Sequence, residues 1–285
     1  MVNIKDIARQ VGMSPSTISR VVNGRKHVVS SEKRKQILKL VEETGYVPNR
    51  AARSMVLKRS FTVGIIIPDA FNMFQGQLFS IIKRHLISFG YHVLFFFVKF
   101  DDQSEKICLN CLKAEQPDGV IMIHKIKNPF FYEYVRKTGL PTVTSTFHYP
   151  GINAIHVNEK QASKDAVNYL IGLGYHRILL ISGDGFTDEL AIGAIRVLID
   201  EGLWVPEDVS VIGFDDIDIA QYTAPSLTTI YQPLTEIGEK TALALHRQIS
   251  GDNITEEEQI LPYKLVIRES TRASKNDRTR IPGNF

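Results

Sequence analysis

Hydrophobic residues follow two different spacings along this chain. In about the first 45 positions they recur every three or four residues, which is the spacing of helices with one buried face. After residue 62 they form short continuous runs, and amphipathic stretches of helical spacing separate one run from the next. Continuous apolar strands that alternate with helices predict a parallel sheet covered on both faces. The pattern therefore predicts an all-α head followed by an α/β core.

The head begins with two short predicted helices around a tight turn. Asn3 is placed to cap the first helix, and Asp6 occupies the capping-box position three residues later. Gly12 has the permissive backbone that the turn needs. Ser14 then caps the second helix, and Pro15 takes its first position, where a missing N–H does no harm. The spacing predicts a helix-turn-helix over residues 4–23.

The second of these helices has a buried side and a polar side. It is expected to bury Ile18 and either Val21 or Val22, and to expose Ser16, Thr17 and Arg20. Short hydroxyl side chains and an arginine at an exposed helix suit the major groove of DNA, where arginine can bind guanine with two hydrogen bonds. The alternative is two ordinary packed helices of a larger α domain.

A third helix is predicted over residues 31–44, capped by Ser30 or Ser31 and ended by Gly45. Its Ile37 would complete a small three-helix core. A short helical segment over residues 48–57, too small to be stable alone, and a linker follow.

Charge is divided unevenly between the two parts of the chain. Residues 1–60 contain 13 Lys/Arg and 4 Asp/Glu, whereas residues 61–285 contain 21 and 27. The formal net charge of +3 thus combines a strongly basic head with an acidic remainder. A basic head is typical of a protein that binds a polyanion, and no amphipathic aromatic face accompanies it that would favour a membrane surface.

The remaining composition narrows the class of protein. The longest apolar run, residues 93–98, is far shorter than the ~20 residues of a membrane span, and no signal peptide precedes the head. We therefore expect a soluble cytoplasmic protein. Cys108 and Cys111 form a C-x-x-C without a thioredoxin-like context or a second ligand pair, so we interpret them as neighbours on one buried helix face.

Strands and helices alternate regularly after residue 62. Ligands of such sheets lie at the carboxyl ends of the strands. The predicted strands are 63–68, 92–98, 119–124, 142–146, 154–158, 178–182, 210–215 and one near 260–267, and the predicted helices are 77–89, 104–115, 129–138, 161–173, 188–201 and 233–250.

At this point the chain closely resembles the LacI/GalR family of bacterial transcription regulators over nearly its full length. The matching segments include IKDIARQVGMSPSTISRVVNG, GYVPNRAARSM, TVGIIIPDAFNMF, LGYHRILLISG and VSVIGFDDIDIAQYTAPSLTTI. The resemblance implies a homodimer that binds double-stranded operator DNA, with a hinge helix that joins the head to a two-lobed core like a periplasmic sugar-binding protein. It also implies a small effector, often a sugar, between the lobes.

The resemblance assigns DNA contacts to particular residues of this chain. Pro15 and Ser16 stand where members vary to choose their operator. In the hinge, Met55 replaces the usual Leu that wedges into the minor groove, although it could instead pack the dimer. The DNA-binding residues so implied are Ser14, Ser16, Thr17, Ser19, Arg20, Asn23, His27, Asn49, Arg50 and Met55.

For the effector, the resemblance assigns Phe74 as the aromatic that stacks on the ligand and Asp215 as the acid that binds one of its polar groups. Ordinary packing and helix capping are the alternatives for these two residues. The chain also departs from the family after strand 178–182, because Gly185 leads directly into the helix at Asp188. Two helix–strand units, roughly 60 residues, are missing there. The missing segment is the one that carries the effector-clamping Arg in the family.

The sequence thus predicts a fold of the α+β multi-domain class. Its domains are a DNA-binding head (1–59, hinge helix 48–57), an α/β core with parallel sheets (60–271; lobe 1 about 60–158, an incomplete lobe 2 about 159–271) and a disordered tail (272–285).

No G-x-G-x-x-G, P-loop, G-x-S-x-G or H-E-x-x-H motif supports an enzyme, and no cofactor or metal is predicted. We expect a repressor of a carbohydrate-utilisation operon with a weak or lost effector response. The alternatives are an activator, or a degenerate member that retains DNA binding only.

Overall fold

The protein divides into two compact units, Met1–Ser60 and Phe61–Phe285, each described here by itself. The computed structural model describes residues 2–22, 24, 28–46, 57, 59–69, 72–99, 101–175, 177–178, 187–252 and 258–273. Leu57 is the one described residue of the predicted hinge helix.

The described part of the head contains three helices, α1 (Ile4–Val11), α2 (Pro15–Val22) and α3 (Ser31–Thr44). Both halves of the predicted capping box are present at the start of α1, and Gly12 ends that helix with a φ of 69°. Ser30, rather than Ser31, caps α3, because its side chain accepts a hydrogen bond from the Lys33 backbone N–H. The apolar stripes of the three helices meet in one core, which includes Ile7, Ile18, Val21 and Ile37 at 0% exposure.

The second unit is built on a six-stranded sheet in the order β2-β1-β3-β4-β5-β7, and every pairing in it is parallel. The elements of this unit, in chain order, are β1 (Thr62–Pro68), α4 (Met73–Ser88), β2 (His92–Val98), α5 (Asp102–Glu115), β3 (Gly119–Met122), α6 (Pro129–Thr138), β4 (Thr142–Ser145), β5 (Asn153–Val157), α7 (Glu159–Gly172), α8 (Thr187–Asp200), a 3-10 helix (Asp218–Gln221), β6 (Thr229–Tyr231), α9 (Leu234–Ser250), β7 (Glu258–Leu261) and β8 (Lys264–Val266).

Side chains of the sheet alternate between two hydrophobic layers, as the two-residue period of a strand requires. Ile65 and Ile67 of β1 point into the layer that contains residues of α4 and α9. Ile66 points into the opposite layer, with residues of α5 and α6. α9 packs closely on α4, since a Cβ at Gly238 would lie 2.6 Å from Cγ2 of Ile81. The predicted parallel sheet with two covered faces is therefore present.

The division of the chain after residue 158 differs from the predicted lobes. α9 packs against α4 and against β3, β4 and β5, and β7 pairs with β5. β7 is therefore a strand of the six-stranded sheet and α9 covers that sheet, although both follow residue 158. β6 and β8 form a separate antiparallel pair. Two strands, β7 and β8, take the place of the single closing strand predicted near 260–267. A long-range parallel pairing such as β5–β7 leaves no local signal in the sequence.

The strand predicted over residues 210–215 is not a full strand. Among the residues that the structure describes, Ile212 and Asp215 alone form bridges here, with Thr228 and Tyr231 respectively. Of the strand predicted before it, residues 179–182 lie outside the described residues, as do 183–186 at the junction. Residues 274–285 of the predicted tail are also outside them, whereas Arg272 forms an ion pair with Glu207.

Candidate nucleic-acid interface and effector cleft

The start of α2 presents three hydroxyl groups that contact one another. Ser14 Oγ lies 2.8 Å from Ser16 Oγ and 2.9 Å from Thr17 Oγ1. Ser14 Oγ also accepts a hydrogen bond from the Thr17 backbone N–H at 3.2 Å, which is the predicted cap of this helix. Hydroxyls are both donors and acceptors and can rotate. This cluster can therefore exchange its internal bonds for bonds to phosphate oxygens or base edges.

Cationic side chains accompany the hydroxyl cluster. Arg20 is exposed in the last turn of α2, and Lys5 and Arg9 are exposed on α1. Ser19, another predicted contact, is partly buried on α2. An exposed helix face with hydroxyls at one end and a guanidinium at the other matches what major-groove recognition requires. The other predicted DNA-binding residues, Asn23, His27, Asn49, Arg50 and Met55, lie outside the described residues.

The two predicted effector residues are both buried in the second unit. Phe74, in the first turn of α4, is 5% exposed and belongs to the main hydrophobic cluster. The same cluster contains Ala191 of α8 and Ile217, so it extends from the first sheet to the later segments. The Phe74 ring thus has little free surface for stacking on a ligand, and its position agrees with the packing alternative.

Asp215 is held by two hydrogen bonds and an unusual backbone. It accepts bonds from Thr187 Oγ1 at 3.0 Å and from Gln232 Nε2 at 2.8 Å. Its φ is 120° and that of Asp216 is 50°, values that non-glycine residues rarely adopt and that concentrate at functional sites. Burial, followed by the neighbouring Asp188 carboxylate, raises the pKa of Asp215 well above its ordinary value.

Asp188 is a second buried carboxylate beside Asp215. It is 0% exposed and accepts hydrogen bonds from Thr229 Oγ1 at 2.7 Å and from the Ile217 backbone N–H at 3.0 Å. Burial raises its pKa as well. Gly213 makes room for it, because a Cβ there would lie 1.9 Å from Asp188 Oδ1. Asp188 thus ties the start of α8 to residues 213–217 and to β6.

Polar contacts join the start of α4 to the later segments. The Met73 backbone N–H donates to Glu189 Oε1 at 3.3 Å, and Gln77 Nε2 donates to Asp218 Oδ2 at 2.8 Å. We call the region between the N-terminal ends of α4 and α8, with Asp215 beside it, the cleft. It contains the two predicted effector positions, and these contacts join its two sides.

Sequence reasoning missed several residues of the cleft. Asp188 and Glu189 stand in the first turn of a predicted helix, where acidic residues are common for reasons of helix stability alone. Gln232 follows β6 and meets Asp215 only through the tertiary fold. Gly213, in the motif GFDD, is the one local signal, because a close approach by another group favours glycine.

Three further features bear on the site's chemistry. Within the described ranges, no group of three or more His, Cys, Asp or Glu side chains is placed to bind a metal ion. No helix among those described is long and apolar enough to cross a membrane. Cys108 is buried and Cys111 is exposed, both as free thiols, so the prediction that they share a buried face is wrong. Residues three apart on a helix differ by 60° in direction, enough to place one of them in solvent.

Comparison with known proteins agrees with both units. The family model for bacterial regulatory proteins of the lacI family matches residues 3–49, and that for the periplasmic binding protein-like domain matches residues 185–271. Catabolite control protein A of Priestia megaterium is 28% identical, with 95% of this chain and 99% of the relative covered. The HTH-type transcriptional repressor CytR of Escherichia coli K12 is also 28% identical, at 95% and 96% coverage.

Solved structures share the fold. The lac repressor dimer bound to operator and the anti-inducer ONPF matches with a TM-score of 0.83 at 24% identity, covering 95% of this chain and 99% of that one. The transcriptional regulator CelR in complex with cellobiose matches with a TM-score of 0.67 at 21% identity, covering 95% and 100%.

The core is shorter than in these relatives. The alignment with catabolite control protein A extends over 334 positions, yet 95% of 285 residues is about 271, so about 60 positions have no counterpart in this chain. That length agrees with the roughly 60 residues that the sequence predicts to be missing. The chain is therefore similar to bacterial regulatory proteins of the lacI family over residues 3–49 and to the periplasmic binding protein-like domain over residues 185–271, and it is shorter than the transcriptional regulators that it matches.

Proposed function

We propose that this protein is a cytoplasmic repressor of a carbohydrate-utilisation operon that binds a palindromic operator as a homodimer, with one half-site for each head. The observation that carries the proposal is the exposed face of α2, where Ser14, Ser16 and Thr17 form a hydroxyl cluster and Arg20 follows. The basic charge of residues 1–60 supports the same partner. The repressor role is supported by the similarity to the transcriptional repressor CytR of Escherichia coli.

We further propose that its response to a small effector is weak or lost. A ligand changes operator affinity only when it prefers one arrangement of the core over another, and that preference needs contacts on both sides of a cleft. Phe74 is buried in the core, and the shorter length of this chain relative to catabolite control protein A agrees with the predicted loss of the segment that carries the clamping Arg. Loss of a charge-assisted hydrogen bond costs about 1.5–3 kcal/mol, or at least about tenfold in affinity.

A binding array of random DNA duplexes tests the operator proposal. The full-length protein should select a palindrome, and Arg20→Ala should cost about 1–3 kcal/mol and relax the preference at one base pair in each half-site. Lys39→Ala is the matched control, because Lys39 is exposed on α3 in an ion pair with Glu43. An unchanged sequence preference in Arg20→Ala would contradict the role of Arg20 as a base reader.

Calorimetry with neutral sugars tests the second proposal. No sugar should both bind at micromolar concentration and lower operator affinity in parallel. A sugar that did both would contradict the loss of response.

A further inference from the structure

Three buried polar atoms of the cleft have no hydrogen-bond partner among the described residues. They are Glu189 Oε2, Gln232 Oε1 and Asn72 Nδ2. Gln232 is 3% exposed and Asn72 is 5% exposed. A buried polar group without a partner is costly, so such groups concentrate where a ligand supplies the missing bond. Two acceptors and one donor are thus available to form hydrogen bonds with a ligand.

These atoms belong to one neighbourhood. The amide of Gln232 contacts Asp215 through its Nε2, and the charge of Glu189 acts on the Asp215 carboxyl. Asn72 caps α4 through its Oδ1, and the next residue, Met73, donates its N–H to Glu189. The open donor therefore lies at the same helix end that Glu189 contacts.

The charge of this neighbourhood is negative. Asp188, Glu189, Asp215, Asp216 and Asp218 surround it, and each is anionic when ionised. Arg268 is the cation among the residues bonded to this group, and its guanidinium pairs with Asp216 at 2.7 Å and with the Leu227 carbonyl at 2.8 Å. An anionic ligand would be repelled by the ionised carboxylates, whereas a cationic ligand would compensate their charge.

We propose that the cleft binds a protonated primary amine that also carries a hydroxyl or carbonyl oxygen. The ammonium group has three N–H donors and no acceptor, which suits Glu189 Oε2, Gln232 Oε1 and the Asp215 carboxylate. The ligand oxygen accepts the open N–H of Asn72. This inference goes beyond the proposed function, because it concerns ligand binding in the cleft and requires no change in operator affinity.

The raised pKa of Asp215 gives the binding a second signature. A cation favours the ionised carboxyl, so binding lowers that pKa and releases protons into the solvent. Thr187 and Gln232, which donate to this carboxyl, and the acids Asp188 and Glu189 are the groups that face it. The affinity for an amine should therefore rise with pH across the titration of the Asp215 carboxyl.

Titration calorimetry of the full-length protein with glucosamine, glucose and N-acetylglucosamine tests the proposal. Glucose has a hydroxyl where glucosamine has its ammonium group, and N-acetylglucosamine lacks the charge. Glucosamine should bind at least about tenfold more tightly than either, the ratio expected for charge-assisted bonds. Its heat of binding should vary with the ionisation enthalpy of the buffer, as proton release requires.

Two isosteric variants and one control locate the site. Asp215→Asn and Glu189→Gln should each weaken glucosamine binding at least about tenfold. Asp252→Asn changes an exposed carboxylate just after α9 and should leave it unchanged. Circular dichroism checks that each variant is folded. If one of the two variants does not fold, the other still tests the site.

Equal binding of glucose and glucosamine, absence of glucosamine binding, or unchanged binding in both variants would overturn this inference. Operator binding is measured on the same samples. If the operator is bound and glucosamine is not, only the amine proposal fails, whereas absence of operator binding contradicts the proposed function itself.

Discussion

Gln232 Nε2 donates a hydrogen bond to Asp215 Oδ1 across 2.8 Å, and the two side chains are buried together. Gln232 follows β6, whereas Asp215 ends the extended segment at 211–215 that bonds to β6 through its backbone N–H groups. The hydrogen bond thus connects the residue that follows β6 to the turn at Asp215 and Asp216, where both φ angles are positive. It also leaves Gln232 Oε1 open, which is why the amide marks the cleft as a site for a further donor.

The stability of the core should fall as pH rises above the acid range. In the unfolded chain Asp215 ionises near its ordinary pKa of 3.8, and in the folded protein it ionises well above that value. The folded protein therefore binds more protons between the two values, and its stability decreases as pH increases through that window.

Asp215→Asn should make this decrease in stability less steep and leave the core at least as stable at neutral pH. Each unit by which folding raises the pKa of Asp215 corresponds to about 1.4 kcal/mol of stability lost across the window. Asp188, whose pKa is also raised, keeps part of the slope. Urea unfolding of the core at several pH values measures it, with Asp252→Asn as the control. The same slope in wild type and Asp215→Asn would show that Asp215 is ionised in the folded protein.

The cap of α3 distinguishes two adjacent serines. Ser30→Ala removes the acceptor for the Lys33 N–H and should destabilise α3 by about 1 kcal/mol. Ser31→Ala changes an exposed residue at the first helical position and should have little effect. Amide hydrogen exchange along α3 in the full-length protein reports both. Equal loss of protection in the two variants would contradict the assignment of the cap to Ser30.

The two cysteines should differ in reactivity by orders of magnitude. Burial raises the pKa of the Cys108 thiol to about 12, so very little thiolate is present at neutral pH, and the side chain is shielded. Cys111 is exposed and should react with a thiol reagent in the native protein. Native labelling should modify one thiol quickly, Cys111→Ser should abolish that phase, and Cys108→Ser should retain it.

Met55 is predicted from the resemblance to wedge into the minor groove at the centre of the operator. Met55→Ala should reduce operator bending and lower affinity at least about tenfold, because unstacking a base step costs a few kcal/mol that only a large apolar side chain offsets. Met55→Leu should preserve both, since Leu is similar in size and less flexible. Fluorescence energy transfer across a labelled operator measures the bend. Full bending with alanine would favour packing of the dimer as the role of Met55.

Local patterns in the chain are enough to predict the helices of the head, their caps and the alternation of strands and helices up to about residue 172. These features depend on residues within a few positions of one another: Asn3 with Asp6, Ser14 with Thr17, and the two-residue period of Ile65 to Ile67. The hydroxyl and arginine face of α2 follows from the same spacing. The excess of Lys and Arg in residues 1–60 then predicts a polyanionic partner, and this prediction requires the sequence alone.

Tertiary contacts are required for the second half of the core. β7 pairs with β5 from about a hundred positions away, and in the described part of the chain the segment at 210–215 forms two isolated bridges instead of a strand. Gln232, Asp188 and Glu189 become part of one cleft only when β6 and α8 are brought beside Asp215. The burial of a carboxylate and the identity of its hydrogen-bond partners depend on residues that are far apart in the chain. Periodic patterns of hydrophobic residues therefore do not predict them.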